Sequence, residues 1–177
     1  NMASTLKVGT IAHTGGTAAL TVDSSGTVLR ERIPYWNAQV PQQSGFAHIG
    51  AWTKLPYVKA GFGGLSQDGT TGEGNTGFVN STNRYVAPVA GLYFAKFNIR
   101  LDAVSTGYVI SSIYKNGTGV SHYREITGQL STNYETVCSS GIFELAVGDY
   151  LEAYININGD NNVNLDGDNS FIGYLIG

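Results

Sequence analysis

The chain is 177 residues long and carries ten Lys and Arg against thirteen Asp and Glu, a formal net charge of -3. Charged residues make up 13% of it against the usual ~25%, while 42% hydrophobic and 11% aromatic residues supply a full core and exclude a disordered tail. There is no basic excess to hold a phosphate backbone, so nucleic-acid binding is not expected; one cysteine, Cys138, excludes a disulfide framework and reads as a buried, inert thiol.

The opening residues lack the charged start and apolar run of a signal peptide, and no stretch reaches the ~20 apolar residues of a membrane helix. The expectation is a soluble polypeptide made in a cytoplasm, without membrane insertion, with Met2 as its start and Asn1 a remnant ahead of it. Residues 1–32 are small, polar and rich in turn signals such as His13-Thr14-Gly15-Gly16-Thr17 and Asp23-Ser24-Ser25-Gly26. Two β-prone pieces lie between them, Thr5 to Ile11 and Ala18 to Val22, with too few apolar side chains for a core. They predict an extended arm that orders only against a neighbour.

Residues 33–177 read as a second unit of short strands. From Gly91 to Asp102, Tyr93, Ala95, Phe97, Ile99 and Leu101 fall on one face and Lys96, Asn98, Arg100 and Asp102 on the other, the alternation of a half-buried strand. Tyr150 to Asn158 repeats it, with Leu151, Ala153, Ile155 and Ile157 predicted inside. Val109 to Tyr114 runs into Lys115-Asn116-Gly117, a hairpin signal. Gly61 to Gly77, with seven glycines, and Asn156 to Asn169 read as surface loops. With no helical periodicity, the fold class is all-β, a sandwich of jelly-roll type.

Catalytic patterns are missing. Gly64-Leu65-Ser66-Gln67-Asp68 lacks the final glycine of a nucleophile elbow, and His13, His48 and His122 lack zinc-ligand spacing. A carboxylate pair such as Glu125 and Glu135 meeting in space is the one glycosidase arrangement left open. Asn162, Asn164, Asp166 and Gly167 imitate the start of a calcium loop, but Gly173 stands where its bidentate Glu belongs. The segment is read as a polar loop, with no cofactor expected and calcium as the alternative. The expectation is a non-enzyme. Asn80-Ser81-Thr82 and Asn116-Gly117-Thr118 fit the glycosylation sequon and should stay bare without a secretory route.

The unit from Ile33 to Gly177 resembles the C1q-like domains, relatives of the tumour necrosis factor fold. The resemblance rests on Tyr85-Val86-Ala87-Pro88-Val89-Ala90-Gly91-Leu92-Tyr93-Phe94-Ala95-Lys96-Phe97, on Ile113-Tyr114-Lys115-Asn116-Gly117, on Ser140-Gly141-Ile142-Phe143-Glu144-Leu145-Ala146-Val147-Gly148-Asp149 and on Ser170-Phe171-Ile172-Gly173-Tyr174-Leu175-Ile176. Tyr85 replaces the motif's usual Phe, and Ala95 an aromatic; the collagen-like stalk of many animal members is absent. The leader, Ser4 to Ile11 with Thr21 to Val28, is similar to the openings of appendage proteins of tailed, particularly marine, bacteriophages.

On the strands beginning at Gly91 and Ser170, apolar residues fall on both faces: Leu92 and Phe94 lie opposite the core row, and Phe171 opposite Ile172 and Tyr174. A lone sandwich cannot bury both sides. The resemblance implies that neighbours around a threefold axis cover the second layer, and carries the interface role onto Phe94, Phe171, Tyr154 and Tyr174. It implies a homotrimeric virion protein, assembled in the host cytoplasm, whose arm binds other virion proteins and whose head, as a fibre or appendage, contacts a host surface glycan or protein. A capsid decoration protein and a soluble ligand-recognition module are the alternatives.

Overall fold

The computed structural model describes residues 10–12, 18–22, 24–25, 28–29, 33–46, 50–59, 77–102, 107–127, 134–159 and 163–177. The chain divides into two compact units, Asn1–Ile33 and Pro34–Gly177.

In the first unit, β1 (Thr10–Ala12), β2 (Ala18–Val22) and β3 (Val28–Leu29) form an antiparallel sheet in that order. The extended arm of the sequence reading is corrected here: its pieces pair with each other. The turn at Ser24 and Ser25 brings the chain back, so that Val22 faces Val28. Residues 5–9 lie outside the described residues.

The second unit contains β4 (Tyr35–Gln39), β5 (Trp52–Lys54), β6 (Val58–Lys59), β7 (Phe78–Val79), β8 (Arg84–Val86), β9 (Gly91–Asp102), β10 (Tyr108–Lys115), β11 (Thr118–Thr127), β12 (Tyr134–Leu145), β13 (Tyr150–Asn158), β14 (Asn164–Leu165) and β15 (Ser170–Leu175). A 3-10 turn spans Asn80–Thr82. Two antiparallel sheets make a β-sandwich: β12-β9-β15-β4-β6 with β14 on β9, and β11-β10-β13-β8-β7 with β5 on β13. Period-2 alternation decides what they enclose. Tyr93, Ala95, Phe97, Ile99 and Leu101 of β9 and Leu151, Ala153, Ile155 and Ile157 of β13 are all buried, as the sequence predicts. The Asn116-Gly117 turn joins β10 to β11, both residues having positive φ (52° and 74°), which suits a two-residue hairpin.

Aromatic rings tie the layers together. Trp36 of β4 stacks on Tyr85 of β8 at 3.9 Å between centroids, and Tyr85 meets Tyr93 at 5.7 Å. The indole has room because its row reads Trp36, Gly173, Ala95, Gly141 across four strands. A Cβ on Gly173 would collide with the Trp36 ring. The small residue at Ala95 thus falls in the row that carries the tryptophan.

The Asn156 to Asn169 loop is corrected. β13 continues to Asn158, Val163 and Leu165 are fully buried, and β14 pairs with β9. Asn169 is buried too: Val40 N–H donates to its Oδ1 at 2.5 Å, and its amide donates to Val40 O and Asp166 O. The apolar beats at 163 and 165 anchor a segment whose composition alone is polar. The predicted loop from Gly61 to Gly77 lies outside the described residues except at Gly77.

Candidate functional site

The structure separates the four aromatic residues assigned to an interface. Phe171 is fully buried, with the rings of Trp36, Tyr57, Phe78 and Phe97 around it at 5.5, 5.6, 6.2 and 6.4 Å. Its assignment to a trimer interface is corrected, because a side chain enclosed by its own sandwich cannot touch a neighbour. The alternation in β15 is as read, but Phe171, Gly173 and Leu175 are the inward set. Tyr154 lies apart from the other three, on β13, on the outer side of the opposite sheet, stacked on Tyr114 at 4.0 Å.

Phe94 and Tyr174 do come together, on the outer face of the β9 sheet. They are directly paired in register, their rings 5.5 Å apart. The same cross-strand row continues to Ile142 on β12 and Tyr35 on β4. Beside it lie Leu92 and Ile176, linked by the Ile176 N–H to Leu92 O bond of 2.7 Å. Leu92, Ile142, Tyr174 and Ile176 are 45%, 52%, 50% and 47% exposed. Scattered apolar residues are normal on a surface, whereas a contiguous patch on one rigid sheet marks an interaction site. Ile142, Tyr35 and Ile176 escaped the sequence reading because only cross-strand register places them beside Phe94.

Farther along this face the chemistry turns polar. Asn98 accepts a 2.5 Å bond from the Ser170 hydroxyl, and Cys138, opposite Asn98, is half-buried rather than the buried thiol expected. Arg100 donates to Asp166 at 2.7 Å, pairs with Asp168 and lies 5.0 Å from the Tyr134 ring. That hydrogen bond is the main cause that holds the Asp166 carboxyl below the usual range. The carboxylates of the calcium-like segment therefore face a guanidinium. Among the described residues no group of three or more His, Cys, Asp or Glu converges as metal ligands do.

A pocket of about 420 Å³ opens at the end of the sandwich, lined in part by Gly91, Leu92, Lys115, Glu144, Ala146 and Asp149. Lys115 and Asp149 are engaged with each other. Lys115 donates to Glu144 O at 2.6 Å and reaches Asp149 at 3.2 Å, while Asp149 accepts from the Asn116 amide and the Ala146 N–H at 2.8 and 2.9 Å. These contacts, the Asn116 amide foremost, lower the Asp149 carboxyl to about 2. They lock the hairpin turn to the β12–β13 turn. His13, His48, Ser66 and the side chains of His122 and Glu125 lie outside the described residues.

Compared with known proteins, the chain matches no family model and no curated relative. Among the described residues no helix is long and apolar enough to cross a membrane. What the fold defines is an all-β sandwich of two antiparallel sheets, with an apolar patch on the outer face of one of them.

Proposed function

We propose that the protein is a non-enzymatic structural component of a bacteriophage virion: a trimeric, C1q-like jelly-roll head that projects from the particle as a fibre or appendage, attached through its N-terminal unit. The observation that carries the assembly is the apolar outer row Ile142, Phe94, Tyr174 and Tyr35 with Leu92 and Ile176. Leaving this row in water forfeits about 25 cal/mol for each Å² that a neighbour would cover. A closed ring of three copies covers it on every subunit, which an open chain of contacts does not.

Strand order supports the jelly-roll part. Taking β4, β8, β9, β10, β11, β12, β13 and β15 as principal strands one to eight, one sheet runs 1-8-3-6 and the other 2-7-4-5. A jelly roll, with its two wrapped Greek keys, would have this order, which supports the reading. The four C1q-like blocks map onto β8–β9, the β10–β11 hairpin, β12 and β15. The virion role draws on the likeness of residues 4–28 to phage appendage openings. Three identical heads on one axis would multiply weak contacts to a host glycan or protein.

Immunogold electron microscopy of purified phage particles, using an antibody to this chain, tests the virion role. Label on discrete projections is expected. Particles free of label, with the protein recovered only from the soluble lysate, would refute it.

A further inference from the structure

The chain contains two Asn-Gly pairs, Asn116-Gly117 in the β10–β11 turn and Asn158-Gly159 at the end of β13. In such a pair the backbone nitrogen of the glycine, unhindered by a side chain, can attack the asparagine Cγ. The bond from Cγ to Nδ2 breaks, ammonia leaves, and a five-membered succinimide forms. Water then adds to one of the two ring carbonyls and opens the ring, leaving aspartate or isoaspartate. Both asparagines are exposed, and both glycines have positive φ, 74° and 108°. Residue type and access to water therefore do not tell the two pairs apart. What holds each side-chain amide does.

Attack turns Cγ tetrahedral and so disturbs both ends of the amide. At Asn116 both ends are held. Its Nδ2 donates to the Asp149 carboxylate at 2.8 Å, the bond that does most to keep that carboxyl ionised, and its Oδ1 accepts from the Tyr150 N–H at 2.9 Å. The Asn116 N–H also donates to Tyr150 O at 3.0 Å, so backbone and side chain clamp the residue to the same neighbour. The Asn158 amide donates at 3.2 Å to the neutral Tyr108 hydroxyl. A bond to an ionised acceptor is roughly twice as strong as one between neutral groups.

The two sites would also receive the product differently. Aspartate at 116 sets a second carboxylate against Asp149 where an amide now donates, and like charges in contact oppose the link between the two turns. Aspartate at 158 meets a phenol, and a hydroxyl turns from acceptor to donor without losing the contact.

We propose that Asn158 is a site of spontaneous deamidation, and that Asp149 with the Tyr150 N–H spares Asn116 from the same reaction. Each conversion at Asn158 adds one negative charge at the end of β13 to a chain whose net charge is -3. The reaction needs the folded sandwich and water, and no partner.

The test follows both positions over days in neutral buffer at physiological temperature, by peptide mapping and mass spectrometry of the full chain. Each rate is divided by the rate at the same position in guanidinium chloride, which removes the influence of sequence neighbours. In the folded chain Asn158 should convert while Asn116 stays intact. Asp149→Ala should speed conversion at Asn116 by about tenfold or more, the weight of one charge-assisted hydrogen bond, and leave Asn158 unchanged. Asp149→Asn, whose amide oxygen still accepts, should fall between, and carries the comparison if melting curves show that the alanine variant does not fold. Asn116→Asp should melt below the native protein and Asn158→Asp with it. Folded protein in which Asn116 reacts as readily as Asn158, an Asn158 that does not convert, or a folded Asp149 variant in which Asn116 keeps its native rate overturns the proposal.

Discussion

Replacing Phe171 with Ala separates the two roles this residue could have. In the structure its ring sits among Trp36, Tyr57, Phe78 and Phe97, rings drawn from both sheets and from the connection after β5, with no exposure of its own. Truncating a buried Phe costs ~3–5 kcal/mol, from lost transfer energy plus a cavity the surroundings fill only in part. Four large rings on fixed strands collapse poorly, which places the cost toward the upper end, about 4 kcal/mol. For a domain of this size that lowers the melting temperature by about 8–16 °C, and the urea midpoint by about 2 M at an m-value near 2 kcal/mol/M. Urea unfolding followed by near-ultraviolet circular dichroism, at two protein concentrations a hundredfold apart, is the assay. The loss should be the same at both concentrations after allowance for association, and the mass of the folded variant should be unchanged. A loss below about 1 kcal/mol, or a folded variant that has merely dissociated, would refute the core assignment and restore Phe171 to the interface.

Gly173→Ala drives a methyl group into the Trp36 indole and should cost ~1–3 kcal/mol through overpacking, read as a lower melting temperature and a shifted Trp36 emission. Acid should loosen the turn held by Asp149: its folded pKa, about 2, lies below the unfolded value of 3.8, so its stabilisation is full above that value and is lost as pH falls through the window between them. Asp149→Asn should flatten that part of the acid-unfolding curve; an identical curve would contradict the turn lock. Burial holds the Tyr57 hydroxyl, which donates to Asn98 O at 2.7 Å, well above its ordinary value of 10.0. A group raised on folding stabilises below the unfolded pKa and less as pH climbs past it, so Tyr57 should ionise only with alkaline unfolding; in a spectrophotometric titration, Tyr57→Phe should remove amplitude from that late step and from no earlier one.

The long strands were legible because their environment is two-sided. In β9 and β13 every second residue is apolar and meets the same core, so period 2 survives in the sequence and names the buried rows. Asn116-Gly117 was legible because few other pairs adopt that turn. The direction of β15 was harder. Phe171 and Tyr174 are both aromatic on opposite faces, and nothing in six residues says which face is inside; the neighbours across the strands decide it, Gly173 yielding to Trp36 and Phe171 to four rings. β14 was hidden because two apolar residues, Val163 and Leu165, sit among Asn and Asp. The outer apolar patch was half legible: Phe94 and Tyr174 announce themselves as aromatics, while Ile142 and Tyr35 join them only through register. That Tyr154 lies on a different sheet from Phe94 was not legible, because strand order, which separates β13 from β9, is set by long-range pairing.

The central claim is that the outer row of the β9 sheet is covered by two further copies of the chain. Light scattering coupled to size exclusion at micromolar concentration measures this directly, for the native protein and for Phe94→Ser combined with Tyr174→Ser. The account predicts three times 18.8 kDa, about 56 kDa, for the native chain, and a folded monomer for the double variant. A native protein that elutes at 18.8 kDa, or a double variant that stays fully trimeric, would contradict it.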